Sequence, residues 1–441
     1  MTAVWQIVLA LGSVAALVCL MGVVRHFAGV WQINAEVQRK LVHIGTGLYA
    51  LSLPWLFPDR WPVYLLVGVT LVVMLILRLP NSRLGATLHG VERQSYGDFL
   101  LAISVGVCLF LAADLGQMYL YVLPIAVLTL ADAAAALTGS AYGTKFFKVE
   151  EGEKSIEGSA MFFLLTLIIA MMVLMLMTPF APLNIILLSL MVAGFGALVE
   201  AASWRGFDNL FLPIGILIFL AVHGQSSVAE LVALSALFVL SIFGFRVLAP
   251  RFGLTKHAAQ VYVTAVFLLL SVTEVQNTLF PILVLIAHAW SRSTNPCSSK
   301  FPDLDIVAGL ALVSFGSLIV GTAMGPTAVS FYGVVAMGMV MGLCAVGAGR
   351  WPLMPRLLLV CAVAAISLGL RAVVVAVNAE TVNWHGPMWT AVIACLVLTG
   401  GPPLAVSAFF NKRRVLKLTI LALLIPLPFY LIAASTAGAS L

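Results

Sequence analysis

Charged residues are scarce in this chain. They make up 9% of its 441 positions, whereas hydrophobic residues make up 62%. Soluble domains carry charge at roughly a quarter of their positions, so a polar shell cannot be built here. The apolar residues form blocks of about 17–25 residues, the length of a helix that crosses roughly 30 Å of hydrocarbon. Because these blocks do not alternate with polar residues, barrel strands are excluded and an all-α polytopic transmembrane helix bundle is predicted.

Cysteine is also rare, with six residues and no CxxC spacing, which argues against a disulfide framework or a zinc site. The net charge of +6 comes from cations spread over many loops, so it does not predict nucleic-acid binding. No basic segment precedes the first apolar block. We therefore expect a retained first span and not a cleaved signal peptide.

The apolar blocks predict about sixteen spans. They start near residues 6, 41, 62, 98, 118, 159, 183, 209, 228, 257, 278, 304, 326, 353, 388 and 415. Of the 23 Lys and Arg residues, all but Arg60 and Arg371 lie in or beside the odd-numbered loops. Positive loops stay in the cytosol, so we expect both termini outside. The predicted location is the plasma membrane, or the inner membrane if the protein is bacterial.

Acidic residues are concentrated in the first half, since most of the 17 Asp and Glu precede residue 224. An intramembrane charge costs about 2.5–3.5 kcal/mol on insertion scales, which points to function. We predict a first membrane domain at residues 1–223, which carries the chemistry, and a second at 224–441 of unknown role. The polar residues of the second half are interpreted as one solvated cytosolic loop: His288, Arg292, Lys300, Asp303 and Asp305.

Four polar clusters lie at predicted cytosolic ends of spans, and the first holds two cations and an imidazole. Arg39, Lys40 and His43 are spaced three and four apart, so they share one helix face. Such a group suits a phosphate chain. The ordinary positive flank of a span explains it as well.

The second cluster has a carboxylate inside an apolar span. Asp132 is followed by small residues up to Gly139 and Gly143, and then by Lys145. Small residues let another helix or a phosphate approach the backbone. Helix packing alone explains the small residues but not Asp132.

The third and fourth clusters add further carboxylates. Lys154 and Glu157 are spaced to hold a phosphate and a metal, although a loop that caps the next helix explains them equally. Glu200 lies inside a predicted span. Asp208 and Asn209 open the following span, where either serves as a helix cap.

Phosphoryl transfer needs metal-holding carboxylates, cations along the phosphates and a group that positions the attacking hydroxyl. The candidates for the metal are Asp132, Glu157, Glu200 and Asp208. The candidates for the phosphates are Arg39, Lys40, Lys145 and Lys154. All are predicted to face the cytosol, where nucleotide and Mg²⁺ are present, and an acceptor in the bilayer can reach the same site laterally.

Together the four clusters resemble one family, the polytopic kinases of dolichol, phytol and related lipid alcohols. The likeness covers about residues 35–222, with the motifs in the same order and spacing. The matching residues are Arg39, Lys40 and His43; Asp132, Ala135, Gly139 and Gly143; Lys154 to Ser159; and Glu200, Asp208, Asn209 and Pro213. One departure is Ala131, where the family often has glycine.

The resemblance implies CTP as the phosphate donor, Mg²⁺ as the cofactor and phytol, dolichol or diacylglycerol as the type of acceptor. It implies metal contacts for Asp132, Glu157 and Asp208, and catalytic roles for Asp132, His43 and Glu200. It implies nucleotide or phosphate contacts for Arg39, Lys40, Gly139, Gly143, Lys145, Lys154, Ser155 and Asn209. The expected partners are a membrane lipid alcohol, a nucleoside triphosphate and the bilayer, and a homo-oligomer stays open.

Three alternatives remain at this stage. A related enzyme would transfer a cytidylyl group from CTP to phosphatidate, although its C-terminal signature is not visible. An ion-coupled transporter would also use intramembrane carboxylates, but it would place polar residues near the midplane of both halves. The third alternative is a non-catalytic lipid-binding partner, in which the motifs would be vestigial.

Overall fold

The computed structural model describes residues 2–77, 96–149, 152–203, 206–251, 259–264, 275–324, 328–378 and 388–438. It is 85% helical, which agrees with an all-α membrane bundle. Within these residues, nine helices are long and apolar enough to cross a membrane, and three shorter helices are also apolar. A helix begins near every predicted start except 257, which lies outside the described residues. The count of about sixteen spans is therefore not confirmed.

The chain divides into two compact units, Met1–Gln260 and Val261–Leu441. The predicted boundary after residue 223 stays a prediction, as does the placement of both termini outside. The helices of unit 1 are α1 Ala3–Val30, α2 Ala35–Leu56, α3 Trp61–Leu77, α4 Gly97–Asp114, α5 Tyr119–Ala126, α6 Asp132–Tyr142, α7 Ile156–Met177, α8 Pro182–Ala201, α9 Asp208–His223 and α10 Val228–Leu248.

Side chains cap free backbone amides at the starts of α2 and α7, as Ser227 also does at the start of α10. The Asn34 carboxamide oxygen accepts a hydrogen bond from the Glu36 amide at 2.9 Å, which starts α2. The Ser155 hydroxyl accepts one from the Gly158 amide at 3.0 Å, which starts α7. Such caps satisfy amides that have no partner inside the helix. They fix where α2 and α7 begin, and therefore where the polar residues of the first and third clusters lie.

Helices α5 and α6 are joined by a π turn at Val127–Ala131, which is the widened form of helix often found at functional sites. Asp132 is the first residue after this turn. Gly47 of α2 lies directly against the turn, since a Cβ at Gly47 would meet the Thr129 Cβ at 2.7 Å. Only glycine permits this approach of the two helices without displacement.

A short hairpin interrupts the helices between α6 and α7. Strand β1 Phe146–Val149 pairs antiparallel with β2 Gly152–Ser155, with Phe146 opposite Ser155. The Ile156 amide donates to the Lys145 carbonyl at 2.9 Å and closes the hairpin onto α7. The sequence predicts a loop for this segment, because four-residue strands rich in Lys and Gly lack a clear apolar alternation.

Unit 2 is also helical and has α13 buried at its centre. Its helices are α11 Leu279–Thr294, α12 Pro302–Met324, α13 Ala328–Gly347, α14 Leu353–Asn378, α15 Trp389–Ala405, α16 Ser407–Phe410, α17 Arg414–Leu424 and α18 Leu427–Gly438. Helix α13 packs against α11, α12, α14, α15 and α17, and its most apolar window is entirely buried. This burial explains why that helix is apolar on every side.

The prediction of a solvated loop in the second half is wrong for its main acidic residue. Asp303 is 9% exposed and His288 is 1% exposed. Asp303 accepts a hydrogen bond from the Tyr262 hydroxyl at 3.0 Å, lies 3.3 Å from the His288 Nε2 and pairs with Arg292. The sequence predicts that these groups lie near a helix end, but it does not reveal which side chains they contact. Buried charge is tolerated here because it is paired and hydrogen-bonded.

Candidate active site

A polar cavity of about 420 Å³ lies in unit 1, where ends of α2, α4, α6, α7, α8 and α9 meet the hairpin. Its ionisable lining residues are Glu36, Arg39, Lys40, His43, Asp98, Asp132, Glu153, Lys154, Glu200 and Asp208. Six of these are carboxylates and three are Lys or Arg, so acid is in excess. Residues from all four sequence clusters therefore share one cavity.

The first ion pair in the cavity joins α2 to α6. The Lys40 Nζ donates to the Asp132 Oδ2 at 2.5 Å, across 92 residues of chain. The two side chains are only 8% and 10% exposed. The ammonium group therefore holds the carboxylate in its charged form in a place with little water.

His43 is fixed beside the same carboxylate by the π turn. Its Nε2 lies 2.9 Å from the Leu128 carbonyl oxygen and 3.5 Å from the Asp132 Oδ2. A carbonyl oxygen only accepts, so Nε2 carries a hydrogen and donates it to Leu128. The π turn thus provides the carbonyl oxygen that holds His43, and it orients the side chain of Asp132.

The second ion pair joins the hairpin to α8. The Lys154 Nζ donates to the Glu200 Oε1 at 2.6 Å, to the Ser203 hydroxyl at 2.8 Å and to the Glu200 main-chain carbonyl. The other carboxylate oxygen of Glu200, Oε2, is buried and has no hydrogen-bond partner in the part of the chain that is described. A buried carboxylate oxygen without a donor is suited to a ligand hydroxyl or a cation.

Two further carboxylates open helices at the edge of the cavity. Asp98 lies in the first turn of α4, and Asp208 begins α9 next to Asn209. Among the described residues, neither Asp98 nor Asp208 makes an ion pair or a side-chain hydrogen bond. Asp98 is not among the predicted site residues, since an acidic residue in a first helical turn is explained by the helix dipole alone.

Arg39 is the most accessible cation of the cavity. Its side chain is 45% exposed and pairs with Glu36, one turn earlier on α2, at 2.6 Å. An exposed pair of this kind contributes at most about 1 kcal/mol and exchanges partners readily. Arg39 can therefore reach an incoming anion more easily than Lys40, which is buried against Asp132.

One known enzyme is similar to this chain. A phytol kinase of Synechocystis sp. (strain ATCC 27184 / PCC 6803 / Kazusa) is 33% identical to it over 187 residues, which are 41% of this chain and 76% of that enzyme. The chain belongs to the phytol/dolichol-type lipid kinase family. No family model and no solved structure matches it.

Three predicted site residues of this kinase-family member do not line the cavity. Glu157 accepts a hydrogen bond from the Thr144 hydroxyl and, at 3.3 Å, from the Lys145 amide, so it fixes the turn that precedes β1. Lys145 and Gly143 lie in that turn and are also absent from the lining. Within the described residues, no group of three or more His, Cys, Asp or Glu is arranged to hold a metal by itself.

The remaining predicted glycine, Gly139, lies where α6 crosses α7. A Cβ there would meet the Ser155 hydroxyl at 2.8 Å, and a Cβ at Gly158 would meet the Gly139 Cα at 3.3 Å. Gly139, Ser155 and Gly158 nevertheless all line the cavity. The close crossing therefore leaves backbone at the wall of the cavity, which a ligand can approach.

Proposed function

We propose that unit 1 is a membrane-embedded kinase that transfers the terminal phosphate of CTP to a lipid alcohol of the phytol, dolichol or diacylglycerol class. The observation that carries this proposal is a single cavity in which two Lys–carboxylate pairs lie beside carboxylates that make no ion pair with any described residue. The likeness to a phytol kinase supports the same chemistry. The proposed site opens to the cytosol.

The donor side of the cavity needs a cation in addition to the protein's own. Carboxylates outnumber Lys and Arg in the lining, so a bare triphosphate would be repelled. We propose that Mg²⁺ enters with the nucleotide, held by Asp208 with Asp98 or with the Oε2 atom of Glu200. Mg²⁺ usually takes one or two carboxylates together with phosphate oxygens and water, so a preformed cluster is not required. When bound, it neutralises charge on the transferred phosphoryl group.

The protein's own cations would bind the phosphate oxygens. Arg39 is accessible and presents a planar fork that fits phosphate, and Lys154 reaches the cavity from the hairpin. Lys154 already donates to Glu200 and Ser203 with all three of its N–H groups, so a phosphate oxygen would replace one of these acceptors.

The acceptor side would be built around Asp132. Its carboxylate is kept charged by Lys40 and can accept the hydrogen of the attacking hydroxyl. The alcohol oxygen then forms a bond to the terminal phosphorus, the bond from that phosphorus to CDP breaks, and the proton stays on Asp132. His43, held by the Leu128 carbonyl, keeps Asp132 in position and completes the polar wall.

A substrate panel tests this proposal. The purified protein is incubated with Mg²⁺ and either CTP or ATP, against phytol, dolichol and diacylglycerol, and products are identified by mass spectrometry. We expect one phosphorylated alcohol and one equivalent of CDP. Absence of nucleotide binding and of transfer for every pair would reject the kinase.

Two further measurements distinguish the alternatives. Pyrophosphate instead of CDP, with phosphatidate as acceptor, would indicate cytidylyl transfer. Ion-coupled uptake in proteoliposomes that does not respond to CTP would indicate a transporter.

A further inference from the structure

The hairpin presents an exposed aromatic side chain at the cavity. Phe146, the first residue of β1, is 55% exposed and lines the cavity. Exposed apolar side chains on the long helices are explained by contact with lipid. The hairpin, in contrast, carries Lys148, Glu153 and Lys154, so it belongs to the aqueous side, where an exposed Phe needs another explanation.

The Phe146 ring is held in place from behind. A Cβ on Gly143 would lie 2.9 Å from the ring Cζ and 3.0 Å from the Ser155 Cβ, so the ring packs closely over this glycine. The backbone on both sides is fixed by the β1–β2 pairing. An aromatic ring whose Cζ lies against a glycine and which is exposed at the cavity is a preorganised stacking surface.

Glu153 is placed on the same face of the hairpin. In the antiparallel register, Phe146 is opposite Ser155 and Lys148 is opposite Glu153, so these four side chains point to one face. Phe146 and Glu153 are diagonal neighbours in this register, a pair that lies about 7–8 Å apart and within reach of aromatic and long side chains. Glu153 also lines the cavity and makes no side-chain hydrogen bond among the described residues.

We infer that this face of the hairpin is the nucleobase subsite of the proposed kinase. The base stacks on Phe146, and Glu153 accepts a hydrogen bond from its exocyclic amino group. Cytosine has such a group and uracil has a carbonyl oxygen in its place, so Glu153 would favour CTP over UTP. Lys154 points from the opposite face of the hairpin but lines the same cavity, and the phosphates then extend towards it and Arg39. This inference rests on the proposed function, because it assumes a nucleotide donor.

Binding measurements separate the base from the phosphates. Affinities for CTP, UTP and inorganic triphosphate are measured on the purified full chain with Mg²⁺. Phe146→Ala should weaken CTP binding about 5- to 150-fold, the range expected for one base–aromatic stack, and leave triphosphate binding unchanged. Phe146→Trp should retain CTP affinity. Glu153→Gln should remove most of the preference for CTP over UTP.

Tyr142 provides the matched control. It is the last residue of α6, four residues before Phe146, and it is 74% exposed. It does not line the cavity. Tyr142→Ala should leave all three affinities unchanged. Both aromatic residues are exposed, so neither substitution should prevent folding.

The outcomes also distinguish this inference from the proposed function. If the wild-type protein binds CTP and phosphorylates an alcohol but Phe146→Ala keeps the affinity for CTP, the base subsite is wrong and the kinase stands. Equal weakening of CTP and triphosphate by Phe146→Ala would likewise refute stacking. If the wild-type protein binds no nucleotide, the kinase itself is rejected.

Discussion

The ion pair between Lys40 and Asp132 allows structure and chemistry to be separated by a double-mutant cycle. The two charged atoms are 2.5 Å apart, and both side chains are nearly buried. At an effective dielectric constant of about 20, the Coulomb energy at this distance is about 7 kcal/mol, part of which is cancelled by lost hydration. Removal of one partner of such a pair typically costs about 3–5 kcal/mol, because the other charge is left buried and unpaired.

We therefore expect Lys40→Met and Asp132→Asn each to lower the thermal stability of the protein in detergent. The double variant should recover much of that stability, since neither charge remains. All three variants should lack kinase activity if Asp132 receives the proton of the alcohol. Stability is measured by thermal unfolding in detergent, and activity is measured with the best donor and acceptor of the substrate panel.

Two results would refute this reasoning. Single variants as stable as the wild type would mean that the pair does not form. A double variant that regains activity together with stability would mean that Asp132 has no chemical role and only holds α2 against α6.

Three further predictions concern other parts of the chain. Gly47→Ala should lower kcat at least tenfold, because the added Cβ would push α2 away from the π turn. Gly68→Ala is the control and should leave kcat unchanged, because a Cβ at Gly68 meets nothing within 4 Å. Asp208→Asn should raise the Mg²⁺ concentration for half-maximal activity about tenfold, and Glu157→Gln, altered outside the cavity, should leave that concentration unchanged. In unit 2, Asp303→Asn should lower thermal stability by breaking its contacts with three partners, with kinase activity at low temperature retained. If a variant behaves like the wild type in its assay, the role assigned here to the altered residue is wrong.

The helices were predictable because lipid imposes one strong rule. Apolar blocks of spanning length must be helical, so their starts follow from composition, as at α7, α8 and α9. The convergence of Lys40, Asp132 and Lys154 also followed in outline, since all were predicted at the same ends of their spans. The sequence therefore indicated which end of the bundle carries polar chemistry.

The pairings inside the cavity could not be predicted in the same way. The π turn at Val127–Ala131 contains neither Gly nor Pro, and Pro124 three residues earlier does not by itself predict a widened turn, so the effect of the turn on His43 is visible only in three dimensions. The partner of Lys40 is 92 residues away, and spacing along one helix says nothing about it. Glu157 resembled a metal ligand by spacing, yet its side chain turns to the Lys145 amide.

The hairpin and Asp98 show a second limit. Strands of four residues carry too short a pattern to be distinguished from a loop, so the stacking surface at Phe146 had no sequence signal of its own. Asp98 contributes to the cavity only because α4 packs against α9, which brings its first turn towards the cavity. Both features depend on tertiary packing.

The most direct test of the account is the stoichiometry of phosphate transfer in a matched pair of variants. CDP and phosphorylated alcohol are quantified for the wild type, for Asp132→Asn and for Asp114→Asn, in which the exposed last residue of α4 is changed at the end away from the cavity. We predict equimolar products from the wild type and Asp114→Asn, and none from Asp132→Asn. Transfer that persists in Asp132→Asn, or its absence from the wild type with every nucleotide and alcohol, would contradict the assignment of this cavity as the active site.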